Sequence, residues 1–207
     1  MDTYRTVLKE ASDQFIEKKS RFIGWCKPVT TEEEALEYIK GIKTNHWDAS
    51  HNVYAYVLRE GNIMRYSDDG EPQGTAGVPV LDVIQKSGLT DVVVVVTRYF
   101  GGILLGGGGL VRAYSHSASI GIAAAEPVTM QECAIMSLRC DYSRYPKAES
   151  LILENGGVMD DTVFDDAVTL HFHIVPANLP KLRQSVADLT GGKGTFEEIG
   201  SDYFGMK

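Results

Sequence analysis

Residues 92–96 are five valines in succession, with Thr97 behind them. A β-branched run unrelieved by polar positions predicts a strand covered on both faces. Ahead of it, strand-like segments fall at 3–9, 14–18 and 21–27. Apolar Ala35, Leu36, Ile39 and Ile42 then recur at helical intervals behind Thr30-Thr31-Glu32-Glu33-Glu34. With Thr30 as N-cap, Glu33 takes the third helical position, which is the capping-box spacing. Strands at 51–58 and 62–66 are joined by Arg59-Glu60-Gly61 and read as a hairpin. A turn-rich loop, 67–77, leads into a helix across 79–86 with Pro79 in its first turn, where the missing N–H costs little. Behind the valines, a glycine-rich junction precedes a helix over 110–125 rich in alanine and serine.

The pattern restarts at Glu126-Pro127. A strand at 134–141 is followed by a helix at 145–154, ended by Asn155-Gly156-Gly157. Strands at 158–164 and 168–175, a helix at 178–190 with Pro180 in its first turn, and a strand near 195–203 complete the chain. The order βαββαβ is that of a ferredoxin-like domain. The expected architecture is α+β in two domains, residues 1–130 and 131–207. Fold alone does not set function.

Composition narrows the partners. The 207 residues suffice for a substantial core, and the net charge is −8 with a pI near 5.1. Division at residue 130 leaves 13 basic and 16 acidic residues before it, and 7 and 12 after it. Neither part is a basic domain, so contact with a polyanion has to be a local patch. No basic-apolar leader opens the chain, and no aliphatic run approaches the roughly 20 residues a membrane helix needs. A cytoplasmic protein without membrane contact is expected. Cys26, Cys133 and Cys140 are odd in number and lack CxxC spacing, which favours buried reduced thiols over disulfides or zinc. No metal or cofactor is expected.

The junction TRYFGGILLGGGGLVRAYSHS (97–117) carries six glycines between Arg98 and Arg112. It fits neither the phosphate-loop pattern, which needs Lys-Ser or Lys-Thr, nor GxGxxG, because position 111 is valine. A general device remains: a buried strand ends, glycines expose backbone N–H groups, and a helix begins with its positive dipole end facing the turn. Such a junction favours an anion. Arg98, Gly101, Gly102, Gly106, Arg112 and His116 are the candidate anion-binding residues. Leu110, Tyr114, Ala118 and Ile122 form the buried side of the helix. The alternative is that the glycines permit close helix–strand packing while the arginines pair with Asp68, Asp69 or Glu71.

The loop SDDGEPQGTAG (67–77) lacks the alternating acids of a calcium loop. Asp68, Asp69 and Glu71 could perform acid/base work beside His51 if the fold gathers them, and Thr75 could cap the helix that follows. A solvated turn explains the same residues. His171 and His173 share a strand face and could share a metal, though an exposed face explains them as well. His46, beside Trp47, suggests nothing specific.

Together, SDDGEPQGTAGVPVLDVI and VVVVVTRYFGGILLGGGGLVRAY resemble the signature of the IMPACT/YigZ family. The resemblance implies an N-terminal left-handed βαβ fold shared with a small-subunit ribosomal protein and the fourth domain of the translocating elongation factor. It also implies a C-terminal domain like that factor's fifth. Eukaryotic members restrain an initiation-factor kinase, partly through an additional N-terminal domain, and that role is not carried over. Bacterial members look like translation-associated or nucleic-acid-binding proteins. The family's prominent positions fall on His51, Asp69, Glu71, Gly74, Thr75, Arg98, Gly101, Gly102, Gly106 and Arg112. Two functions follow as expectations, beside the plainer one of a structural interaction module whose two motifs only lock the fold. One is a binding protein for RNA, the ribosome or a protein of the translation apparatus, with no DNA specificity. The other is an enzyme holding a small phosphorylated or carboxylated substrate on Arg98 and Arg112 while His51, Asp69 or Glu71 moves a proton.

Overall fold

A computed structural model describes residues 3–192 and 194–206, of which Met206 is described by its backbone alone. The chain divides into two compact units, Tyr4–Thr129 and Met130–Met206, the second also taking Thr3 at the start of the chain.

In the first unit, most of β1 (Thr3–Val7), then β2 (Ala11–Glu17), β3 (Ser20–Pro28), α1 (Glu32–Asn45), β4 (His51–Leu58), β5 (Ile63–Ser67), α2 (Gly77–Lys86), β6 (Val92–Tyr99) and α3 (Gly107–Ala124) follow in order. The sheet order is β2-β3-β6-β4-β5, and β6 is antiparallel to both neighbours. Pairing on both edges and cover on both faces explain the valine run, since Val92 through Val96 are all fully buried. Alternate residues serve different cores. Val92, Val94 and Val96 pack with Phe22, Val53, Leu110 and Tyr114 on the α2 and α3 side. Val93 and Val95 pack with Ile39, Ile42 and Tyr56 on the α1 side.

Close contact between helix and sheet depends on glycines outside the junction. A Cβ on Gly24 of β3 would lie 2.0 Å from the carbonyl oxygen of Ser117, and one on Gly121 would lie 2.6 Å from that of Gly24. The start of α1 differs from the expected register by one residue. Thr31, not Thr30, is the N-cap and accepts from Glu34 N–H at 3.2 Å. Glu34 then turns back to accept from Thr30 N–H at 2.7 Å.

The second unit contains most of β7 (Pro127–Cys140), then α4 (Tyr145–Glu154), β8 (Val158–Phe164), β9 (Val168–Ile174), α5 (Leu179–Thr190) and β10 (Thr195–Met206). β9 runs antiparallel between β7 and β8, and β10 pairs with β7. This is the βαββαβ order. Strict alternation along β9 sends Val168, Leu170, Phe172 and Ile174 into a core with Met136, Leu138, Ile152 and Leu182. His171 and His173 occupy the other face, which is half-buried and not exposed. His173 donates from Nδ1 to Asp160 at 2.7 Å and stacks on Phe204 with ring centroids 3.6 Å apart.

All three cysteines are free and buried. Burial raises each thiol above its ordinary range, Cys26 to about 12, so the thiols hold their protons at neutral pH. Among the described residues, no helix is long and apolar enough to cross a membrane.

Candidate functional site

The acidic loop and the glycine junction meet in space, but the two arginines have different positions. Arg98, near the end of β6, points inward and its Nη1 lies 2.5 Å from Glu71 Oε1. Both side chains are buried, at 6% and 4% exposure. The same oxygen accepts from the Tyr114 hydroxyl of α3 at 2.7 Å. Burial, and then the Glu71 charge, push the Tyr114 phenol well above its ordinary range, so it remains a proton donor. One carboxylate oxygen thus joins the loop, β6 and α3.

His51, the first residue of β4, adds a third neighbour. Its Nδ1 is 2.8 Å from the backbone carbonyl of Asp69, which can only accept, so Nδ1 carries a proton. Nε2 faces Glu71 Oε1 at 3.8 Å. Register explains the placement, because His51 pairs directly with Arg98 across β4 and β6. Asp69 has the left-handed φ of 47°. Its carboxylate is divided between Lys43 Nζ at 2.6 Å and Asn52 N–H at 2.7 Å. His51, Asp69 and Glu71 therefore converge, and each acid is already engaged.

The expected cap of α2 is corrected. The Thr75 hydroxyl donates to the carbonyl of Pro72 at 2.6 Å and does not cap the helix. Asp68 does so from upstream, accepting from Gly74, Ala76 and Gly77 N–H at 2.9, 3.1 and 2.8 Å. The turn at Gly74, with φ 76°, directs the chain back toward that carboxylate. Sequence spacing favours a cap next to its helix, so a carboxylate nine residues before Gly77 escapes that rule.

The six junction glycines have three different roles. Gly102 and Gly106 have left-handed φ values of 83° and 74°. Gly101 is a close approach: a Cβ there would lie 2.0 Å from the carbonyl carbon of Lys19. Gly107, Gly108 and Gly109 form the first turn of α3 with ordinary φ, and of these only Gly109 is tight, a Cβ there lying 3.0 Å from Leu105 Cβ. At Gly107 the nearest atom to an added Cβ is Thr75 Cγ2 at 4.0 Å, and at Gly108 it is Arg112 Nη1 at 3.8 Å. The helix starts three residues earlier than its apolar pattern indicates.

This turn is bare. It has no side-chain cap and no acidic residue. Among the described residues, no loop carbonyl or side chain accepts from the N–H groups of Gly107, Gly108 or Gly109. Arg112 is exposed, and has no ion pair or hydrogen bond among the described residues. It shares a shallow cavity of about 210 Å³ with Phe15, Glu17, Gly109, Ala113 and His116. His116 is exposed and meets Phe15 edge-on at 4.6 Å.

The architecture and both motifs occur together in known proteins. The Impact N-terminal domain matches residues 18–122, and a domain of unknown function, DUF1949, matches residues 138–193. The IMPACT family member YvyE of Bacillus subtilis is 39% identical over 199 residues, covering 96% of this chain and 92% of that protein. The chain belongs to the IMPACT family. IMPACT family member YigZ of Escherichia coli is 32% identical over 178 residues, covering 84% of this chain and 87% of its own. Protein IMPACT of Xenopus laevis is 47% identical over 96 residues, covering 44% of this chain and 30% of that protein. A crystal structure described as a hypothetical protein matches with a TM-score of 0.60 and 29% identity, over 96% of this chain and 98% of that one.

Within this IMPACT family chain, strand and helix patterns locate Arg98 and Arg112 but do not separate their environments. Tyr114 is legible as a core residue, while its role as a hydrogen-bond donor depends on a loop that returns from 43 residues away. Lys43 was missed because its partner Asp69 lies 26 residues on. Asp68 reads locally as a partner for an arginine and not as the cap of α2, because its N–H donors lie up to nine residues downstream.

Proposed function

We propose that this protein is a cytosolic, translation-associated binding protein whose N-terminal unit engages RNA phosphates at the start of α3. The observation that carries the reading is the first turn itself. Gly107 and Gly108 satisfy no steric demand inside the fold, while a Cβ on Gly109 would press on Leu105 Cβ at 3.0 Å, and each glycine costs a helix about 1 kcal/mol relative to alanine. Their use is in external approach, because a bare turn lets a phosphate oxygen reach the uncapped N–H groups. Arg112 adds an unpaired guanidinium suited to phosphate geometry, and His116 lies one turn further along the same face. Gly101, Gly102 and Gly106 shape the backbone leading to that turn. With a net charge of −8, the protein binds locally and does not coat a polyanion.

Arg98 belongs to the site indirectly. Its charge is matched by Glu71, so it supports the junction while Arg112 makes the contact. The acid/base alternative is weaker for the same reason: Glu71 Oε1 already has Arg98, Tyr114 and His51 around it.

The test is the salt dependence of binding to a labelled RNA. Affinity should fall steeply between about 50 and 200 mM salt, and Arg112→Ala should reduce the log–log slope by about one. Absence of RNA binding at low salt, or an unchanged slope in folded Arg112→Ala, overturns the reading.

A further inference from the structure

Beside the glycine junction, the N-terminal unit displays aromatic rings among cations. Trp47 is 83% exposed, although tryptophan is highly buried on average. It lies in the loop after α1, next to His46, whose ring centroid is 5.1 Å from that of Trp25 and 6.1 Å from that of Tyr99. The Tyr99 hydroxyl lies 2.8 Å from His46 Nδ1 and donates to Asp48 at 3.1 Å. Ser50 ties the same loop to the end of β6, donating its N–H to the Arg98 carbonyl and accepting from Phe100 N–H at 3.1 Å. The segment carrying Trp47 is therefore pinned to β6, and Phe100, half-exposed, follows that strand directly.

Cations border these rings. The Arg21 guanidinium lies 4.5 Å above the Tyr99 ring. Lys18 and Lys19 make the two-residue turn between β2 and β3, both with left-handed φ, 45° and 64°, and both exposed. Left-handed backbone is costly for residues other than glycine, and lysine has no side-chain bond to offset it locally. The turn is seated on the junction, where Gly101 N–H donates to Ser20 Oγ at 3.1 Å and Gly101 gives the Lys19 carbonyl room. Acids are present too. Asp48 is engaged by Tyr99, and Glu17 lies beside Arg112.

We propose that this surface binds single-stranded RNA, with unpaired bases stacking on Trp47 and Phe100 while Lys18, Lys19 and Arg21 take the intervening phosphates. The inference rests on the reading of the glycine junction as a phosphate site and adds that the strand is unpaired. Exposed rings on a surface that also carries cations suit the bases and phosphates of one strand. A duplex hides its base faces and gives exposed rings nothing to stack on.

The experiment measures a labelled oligouridylate of about twelve nucleotides, within the usual site sizes for single strands, against an abasic strand of equal length and an RNA duplex. Trp47→Ala should weaken oligouridylate binding about tenfold to a hundredfold and leave abasic-strand binding unchanged. Tryptophan emission should be quenched on binding in the wild type and lose most of that change in Trp47→Ala. Trp47→Ala binding as tightly as wild type, abasic strand competing equally, or duplex preferred would each overturn the single-strand proposal. In those cases, salt-sensitive binding that still requires Arg112 leaves the phosphate reading intact. Loss of all low-salt RNA binding removes both. Quenching by anionic lipid vesicles but not by RNA overturns the proposal in favour of a membrane surface.

Discussion

Two arginines fourteen residues apart, on either side of one glycine run, have opposite environments. Arg98 is enclosed with Glu71, Tyr114 and His51 in a buried and compensated cluster. Arg112 stands in solvent, without a partner among the described residues, beside three N–H groups with none. Burial makes the first pair expensive to break, because the surviving charge cannot return to water. Exposure makes the second region cheap to alter and leaves it available to an external ligand. The buried cluster therefore holds the acidic loop and α3 together, and the bare turn is where chemistry with a partner can occur.

The largest effect expected from this contrast is at the cluster. Arg98→Ala should destabilise the N-terminal unit by about 3–5 kcal/mol, since it strands the buried Glu71 carboxylate. Denaturant unfolding checks this, and a loss below about 1 kcal/mol would mean that the cluster is not what joins the loop to α3. Glu71→Gln keeps a hydrogen-bond acceptor for Tyr114 and should cost less than Arg98→Ala.

The glycines provide the next comparison. Gly101→Ala should destabilise by about 1–3 kcal/mol, because its Cβ meets the Lys19 backbone at 2.0 Å and backbone cannot simply turn aside. Gly108→Ala should do the reverse, stabilising α3 by up to about 1 kcal/mol through helix propensity while weakening RNA binding. Gly108→Glu should also be tolerated, since a carboxylate suits a helix N-terminus, and should abolish phosphate binding. Stability and affinity measured on the same samples decide the point. If Gly108→Ala binds RNA like wild type, the bare turn has no function in binding.

These distinctions show how much the residues reveal by themselves. The valine strand, the hairpin and the βαββαβ order follow from apolar periodicity, because each depends on local pattern and burial. The inward face of α3 at Leu110, Tyr114, Ala118 and Ile122 follows the same rule, and all four residues are buried. The six glycines do not separate that way. One needs room for the Lys19 carbonyl, two need left-handed φ, one sits tight against Leu105 and two need neither, and only coordinates distinguish these cases. Trp47 and the Lys18–Lys19 turn carried no signal either, since their significance lies in strands returning from elsewhere in the sheet. For the cluster, composition identifies the acids near His51 but not which arginine they meet.

Arg112→Ala is expected to have a smaller effect on the fold than any of these, within about 0.5 kcal/mol of wild type, as for a surface residue without partners. On the proposed phosphate reading, its effect should fall on RNA affinity alone. A combined loss of stability and affinity in this variant would collapse the contrast between the two arginines.

The smallest effect concerns a helix start that does have its anion. At α1, Glu34 accepts from Thr30 N–H, and this bond holds its carboxyl below the ordinary glutamate range against the opposing effect of desolvation. A carboxyl lowered in the folded state contributes stability that is present above its unfolded pKa and is lost as pH falls through the folded value. Acidification through the carboxylate range should therefore remove a small contribution at α1, and Glu34→Gln should flatten that part of the unfolding profile. The start of α3 has no acidic residue in its first turn, so Gly108→Ala should leave the same segment of the profile unchanged. A helix whose first turn has its own carboxylate responds to protons. One whose first turn is bare responds to added phosphate instead, and a phosphate-dependent rise in unfolding midpoint that Gly108→Glu abolishes would separate the two.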